Sequence, residues 1–377
     1  MILEASIIEL LPADHAQAIL VGRLLLDAGP TPVLVRGGEV LDLSGIAPTV
    51  ADLLERDDLA SATGPRICAV EVLGTPAAPR LLAPVDLQVI KACGVTFALS
   101  AIERVIEERA RGDADKASEI RGDLEAKVGS GIRSVVPGSA ESASLKAALI
   151  DAGMWSQYLE VAIGPDAEVF TKGPVLSAVG WGDDVGIRSD SDWNNPEPEV
   201  VLVVDRHGNV RGATLGNDVN LRDFEGRSAL LLGKAKDNNA STALGPFIRL
   251  FDDHFTMDDV RSAVIDLTIT GPEGYTLAGT NKMSEISRDP TDLVRQAQSE
   301  HQYPDGFALF LGTLFAPVQD RDHPGRGFTH KEGDVVRIAT PKLGALVNRV
   351  TTSKAAAPWE FGIRDLMRNL AARGLLA

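Results

Sequence analysis

Apolar positions along this chain follow first a mixed and then a mostly alternating pattern, and the change divides it. Residues 1–85 read as a small α/β unit. "TPVLVRGGEVLDLSG" gives two strand-like runs around a Gly-Gly turn, and "PTVADLLERDD" gives a short helix with Pro48 near its start. "APRLLAPVD" connects this unit to the remainder. In "GVTFALSAIERVIEERARG", residues 94–112, a short strand runs into an amphipathic helix whose apolar face is Ile102, Val105 and Ile106, with Gly112 as its stop. The stretch from Asp113 to about Glu141 is polar and weakly patterned, which suits a mobile flap or insertion. "SASLKAALIDAGMWSQYLEVAI" is helical again. From about 197 onward strands dominate, separated by Gly, Asp and Asn turns, with a helix at "DPTDLVRQAQSEH" started by Asp289 and Pro290. The class is α+β and β-rich: a small N-terminal domain over 1–85 and a larger domain over 86–377, in which 100–195 form a lid or insertion region.

A chain of 377 residues can bury a substantial core, and 44% hydrophobic with 24% charged residues is a globular composition. No apolar run reaches the roughly 18 residues that a membrane-spanning helix needs. "MILEASIIELLPADH" carries acids where a secretory signal carries bases, so a cytoplasmic location is expected. Cys68 and Cys93 are too few for a disulfide framework and read as apolar fillers. A formal charge of −16 argues against nucleic acid and anionic membranes as partners. A small anionic substrate would then need a local positive charge, and a bound divalent cation is the simplest source.

The candidate chemistry lies in "NNPEPEVVLVVDRHGNVRGATLGNDVNLRD". Two strands flank the turn "DRHGN". Pairing Val204 with Val210 makes partner numbers sum to 414, which sets Glu199 opposite Leu215 and Glu197 opposite Asn217, beside Asp218. Glu197 and Glu199 leave the same face of an extended strand. Three carboxylates gathered at a hairpin mouth repel one another, and a hard cation such as magnesium resolves the conflict. The competing reading is a solvated strand end with Asp218 capping a turn. Arg222 could steady the cluster or clamp a carboxylate. Lys234 and Lys236 follow in "LLGKAKDNNASTALGP"; each is a surface charge or a proton-transfer group beside a cation.

"PEPE", "GNDVNLRD" and "AK" ten residues before "GP", followed by "LFLGTLFAP", "KEGDVVRI" and "KLGALVNRV", resemble the fumarylacetoacetate hydrolase superfamily over roughly residues 86–350. The resemblance implies a mixed β-sandwich roll and a homodimer or dimer of dimers. It further implies a bound Mg2+, or Mn2+ or Ca2+ in the same site, with Glu197, Glu199 and Asp218 as metal ligands. By the same resemblance Lys236 rather than Lys234 is the catalytic lysine, and Arg222 and Thr313 bind substrate.

One departure narrows the reading. Hydrolases of the superfamily carry a "GxNYxxHxxE"-like stretch, whereas this chain has "GVTFALSAIE": Gly94 and Glu103 match, and Ser100 replaces the histidine. That substitution, with "WNNPEPE", is similar to the branch that dehydrates 2-keto-3-deoxy sugar acids, pentonates in particular, to 2,5-dioxopentanoate. Its partner would be a small 2-oxo sugar acid, with Lys236 moving a C3 proton, Glu103 acting as acid and Ser100 as orienting hydroxyl. In "SAIERVIEE", Ser100, Glu103 and Glu107 fall on one helix face, Glu107 reading mainly as solvated. The alternatives are an acylpyruvate hydrolase or oxaloacetate decarboxylase of the same superfamily, and a non-catalytic sugar-acid-binding protein.

Overall fold

The structure, a computed structural model, describes all residues except 1–10, 74, 76, 77, 112, 114, 115, 118–134, 152, 316, 318, 323–326 and 377. Most of the polar stretch expected to form a flap, including Gly112, therefore lies outside the described residues.

The N-terminal strands are β1 (Leu20–Leu26), β2 (Gly29–Arg36), β3 (Glu39–Asp42), β4 (Arg66–Ala69) and β5 (Arg80–Leu82). The β2–β3 turn is Gly37-Gly38, both at positive φ as a two-residue type I′ hairpin demands. Helix α1 (Val50–Leu54) starts at Thr49, whose hydroxyl accepts from the Asp52 N–H while Asp52 answers the Thr49 N–H. Then come β6 (Val89–Gly94), α2 (Ala98–Ala110), α3 (Ala140–Asp151), α4 (Gln157–Ile163), β7 (Glu168–Gly173) and β8 (Asp184–Ile187). The single helical region read from 142 to 163 is two helices, because Gly153 at positive φ breaks it. Next are β9 (Asn194–Asn195), β10 (Pro198–Val204), β11 (Val210–Asp218), β12 (Asn220–Leu221), α5 (Arg222–Glu225), α6 (Leu232–Lys236) and β13 (Thr242–Leu250). The chain closes with α7 (Met257–Arg261), β14 (Val264–Thr270), β15 (Thr276–Lys282), α8 (Pro290–Ala297), β16 (Phe307–Phe310), β17 (Val335–Thr340), β18 (Gly344–Thr352) and α9 (Ile363–Ala372). Asp289 caps α8 as its position predicts, and Asp258–Asp259 open α7.

Among the described residues the strands form one long sheet, ordered β4-β3-β2-β1-β13-β11-β10-β16-β6-β7 with β5 also on β1, a second ordered β15-β14-β17-β18-β8, and a separate β12-β9 pair. β1 pairs with β13, so the N-terminal strands continue the sheet that carries the hairpin. β10 is buried along its whole length, and its residues alternate between two cores. Val200, Leu202 and Val204 enter a core that also holds Ile265, Ile338 and Leu346 of the second sheet. Val201 and Val203 enter one with Val50, Leu53 and Leu54 of α1.

The hairpin register differs from the sequence expectation in one decisive respect. Val204 does pair with Val210, but Val203 pairs with Gly212, so Arg211 is a bulge and all pairs beyond it sum to 415. Glu199 lies opposite Gly216, not Leu215, and Pro198 opposite Asn217. A one-residue slip turns every side chain of one strand to the other face. Without the bulge Asp218 would face away from both glutamates; with it, Asp218 shares their face.

Candidate active site

The bulged hairpin mouth brings Glu197, Glu199 and Asp218 together, the meeting expected from the sequence but reached in a different register. All three are at most 5% exposed, and one oxygen from each lies within 4.8 Å of the others. Lys236, from the last turn of α6, is also buried. Its Nζ donates to Glu197 Oε2 at 2.5 Å and to Asp218 Oδ2 at 2.9 Å. Lys234, two residues earlier on the same short helix, is exposed, which separates the two candidate lysines.

Sequence reading missed much of the shell around this core. Arg104 of α2 bonds Glu197 Oε1 at 2.7 Å and Glu107 Oε2 at 2.8 Å, and pairs with Glu225 Oε2 at 2.5 Å. Glu107, expected as a solvated charge, is 3% exposed and takes a second bond at 2.7 Å from Arg222 Nε. Lys172 of β7, fully buried, lies 3.2 Å from Asp218 Oδ1 and donates to the carbonyls of Lys236 and Ser241. Glu168, on the same strand, packs where a Cβ at Gly94 would fall 2.1 Å from its carboxylate, so the glycine leaves room for it. The alternation Glu168, Phe170, Lys172 in "EVFTKG" was the available signal for this strand.

The other candidates line the same pocket. Ser100 donates to the Phe97 carbonyl at 2.7 Å, closing the first turn of α2 with its lone pairs unspent. Glu103 accepts from Arg222 Nη2 at 3.3 Å. Arg222 also stacks on Trp193, its guanidinium 4.3 Å from the ring centre, so it is anchored in the wall by Glu103, Glu107 and the indole. The Thr313 hydroxyl accepts from the Phe315 N–H at 3.1 Å. The neighbouring Gly312, at φ +90°, donates its N–H to Glu199 Oε2 at 2.6 Å. No histidine among the described residues lines the pocket.

Burial and charge set the protonation pattern. Burial, then the nearby negative charges of Asp218 and Glu197, push the Glu199 carboxyl well above the usual range. Burial would raise Asp218 too, but Lys236 and Lys172 overcome it and hold the carboxyl low. Burial opposes the charge on Lys236, yet Asp218, Glu197 and Glu225 win and keep it an ammonium. Burial dominates at Lys172, whose pKa falls, and at Glu225, whose carboxyl rises to about 7 despite Arg104.

This donor set fits a divalent cation. Its ligand atoms are all carboxylate oxygens, the hard donors that magnesium and its relatives prefer. Seven carboxyl groups line the pocket against three basic side chains, Arg104, Arg222 and Lys236, with Lys172 behind them. The excess of negative charge is an energetic problem that a doubly positive ion relieves.

Residues 151–351 match the family model for the fumarylacetoacetate (FAA) hydrolase C-terminal domain. The chain belongs to that family. Among its relatives is a "Probable 2-keto-3-deoxyxylonate dehydratase" of Haloferax volcanii, 31% identical over 202 residues, 54% of this chain and 66% of that protein. A 2-dehydro-3-deoxy-D-arabinonate dehydratase of Saccharolobus solfataricus is 30% identical over 186 residues, 48% of this chain and 58% of the relative. Each alignment spans less than two thirds of the relative's length. The fold is shared with a 2-keto-3-deoxy-D-arabinonate dehydratase solved with magnesium and 2,5-dioxopentanoate: TM-score 0.64, 20% identity, covering 88% of this chain and 99% of that one. The residues matched to the FAA hydrolase family include the acidic trio, Arg222 and Lys236.

Proposed function

We propose that this FAA hydrolase family member is a divalent-cation-dependent dehydratase, converting 2-keto-3-deoxy-D-pentonate into 2,5-dioxopentanoate and water. The observation that carries the reading is the Lys236 ammonium bridging Glu197 and Asp218 inside a pocket whose wall holds Ser100 and no described histidine. The names of the relatives and of the magnesium-bound neighbour support the same reaction.

Glu197, Glu199 and Asp218 would hold the cation, magnesium in preference to manganese or calcium. When bound, it supplies Lewis-acid polarisation of a 2-oxo acid and so acidifies the C3 protons. Lys236 Nζ would take the C3 proton as a neutral amine, the form favoured once a cation draws on the carboxylates that otherwise keep it an ammonium, and that proton then reloads Glu103. Glu103 delivers a proton to the C4 hydroxyl, which leaves as water as the C3=C4 bond forms. Ser100, its hydrogen committed to the Phe97 carbonyl, accepts from a substrate hydroxyl. Movement of a C5 hydrogen to C4, and of the C5 hydroxyl proton to C3, then gives the aldehyde and restores both methylenes. Thr313 holds the substrate carboxylate, and Arg222 steadies Glu103 and Glu107 from behind rather than acting as a lone clamp. A homodimer in the cytoplasm completes the proposal; light scattering of the purified chain tests the assembly.

The test is direct. Protein loaded with magnesium should convert the deoxy-pentonate to 2,5-dioxopentanoate, followed by proton NMR, and should leave acylpyruvates and oxaloacetate intact. Cleavage or decarboxylation of those acids instead would replace the dehydratase reading with a hydrolase or decarboxylase. Tight sugar-acid binding without turnover would make the chain a binding protein.

A further inference from the structure

Two of the three carboxylates have one oxygen hydrogen-bonded by the protein, and the third has one beside a buried lysine. Glu197 Oε1 is bonded by Arg104 at 2.7 Å, Asp218 Oδ1 is paired with Lys172 at 3.2 Å, and Glu199 Oε2 accepts from Gly312 N–H at 2.6 Å. The opposite oxygens of Glu197 and Asp218 are the two that Lys236 Nζ bridges. We infer that Arg104 is a positioning residue that restricts Glu197 to a single ligating oxygen, with the Gly312 N–H doing the same for Glu199, so that the site selects a small octahedral cation over Ca2+. The inference rests on the divalent-cation reading above and extends it to which ion is chosen and why.

The physical argument runs through ion size. Ca2+ takes six to eight oxygens and readily accepts carboxylates through both oxygens, whereas Mg2+ demands compact octahedral geometry and keeps several waters. Two glutamates held to one oxygen each form, with Asp218, a compact tripod and leave the remaining positions to water or substrate. Freeing the far oxygen of either glutamate lets it swing to two-oxygen ligation, which helps the larger ion. Arg104 is built for the task. Its side chain is 13% exposed, and it joins three carboxylates from separate elements: Glu107 on α2, Glu225 on α5, and Glu197 before β10. Glu107 is in turn fixed by Arg222, which is fixed by Trp193. Outer partners of this kind are worth about 10–100-fold in metal affinity.

Removing Arg104 also removes a positive charge, which strengthens binding of any cation. That effect is common to Mg2+ and Ca2+, both doubly charged, and cancels in the ratio of their dissociation constants. Calorimetric titration of the full chain with each ion, without substrate, therefore isolates the geometry. In Arg104→Met the preference for Mg2+ over Ca2+ should fall by about tenfold or more, with circular dichroism unchanged. Should that variant fail to fold, Arg104→Lys reads the same ratio; one ammonium cannot span Glu197, Glu107 and Glu225 together, so a smaller shift in the same direction is expected. A ratio within twofold of the parent in the folded variant overturns the inference while leaving the metal site standing. If the parent binds neither ion, and Glu199→Gln changes nothing, the cation reading itself is wrong and this inference goes with it.

Discussion

Glu197 lies directly across the hairpin from Asp218, its carbonyl accepting the Asp218 N–H at 3.0 Å. That pairing exists only because Arg211 bulges out of β11. The bulge is therefore part of the active-site construction, in keeping with the tendency of bulges to re-aim side chains beside functional sites.

Gly212 follows the bulge, and a Cβ there would fall 2.1 Å from the Arg249 carbonyl oxygen of the neighbouring strand. Gly212→Ala should cost about 1–3 kcal/mol, as other intrusions into a packed interior do. Urea denaturation measures the loss. Divalent-ion binding should weaken in parallel, since β11 must shift to relieve the contact.

Lys236→Met keeps the length of the side chain but removes the proton carrier. Turnover of the deoxy-pentonate should drop by about 10²–10⁴-fold, the usual size of a general acid–base contribution. Substrate-free cation binding should persist or tighten, because the competing ammonium is gone. Steady-state kinetics beside calorimetry checks both; undiminished turnover would remove Lys236 from the mechanism.

Stripping divalent ions with a chelator should abolish turnover and lower the melting temperature. Magnesium at about 100 times its dissociation constant should return about 2.7 kcal/mol of stability. Thermal melts across a magnesium series read this, and a melting point independent of magnesium would count against a specific site.

Away from the pocket, Asp334 is buried with His330 at 3.1 Å and Arg321 at 2.6 Å. Burial alone would raise its carboxyl, but Arg321 and His330 hold it at about 2, below the ordinary 3.8. A depressed carboxyl stabilises the fold above its unfolded pKa, and the benefit is lost as pH falls from about 4 through about 2. Asp334→Asn should destabilise the protein by about 1.5–3 kcal/mol at pH 7, since it weakens charge-assisted bonds to Arg321 and His330 while Arg321 keeps Glu273 as a partner. The gap to the parent should close near pH 2; denaturation at a series of pH values tests it.

Local features of the fold were legible in the chain. The Gly37-Gly38 turn, the Asp289-Pro290 helix start and the hairpin around Gly208 each have a short-range cause, and the structure contains all three. The shared face of Glu197 and Glu199 was legible for the same reason, since they sit two apart in an extended run, whereas Asp218 joins that face only through the bulge. What escaped had no local signature. In β10, apolar residues face both ways, so alternation carries no register information and the bulge left no trace. Arg104 and Glu107 at i and i+3 look the same on paper whether a helix face meets water or a cavity. Glu168 and Lys172 reach the site because β7 lies at the end of the long sheet beside β6, a pairing between distant segments. The family resemblance selected Lys236 over Lys234; the residues alone left that choice open.

One strand serves two masters. β13 is flanked by β11, which carries Asp218, and by β1, which belongs to the N-terminal unit. Excising residues 1–85 would strip a hydrogen-bonded neighbour from β13, and bare the interior around Phe247 and Ile248. An unshielded border of that kind invites other chains to zip onto it. The amino-terminal segment thus guards the flank of the hairpin's own sheet, and versions lacking it should clump rather than work, as light scattering would show.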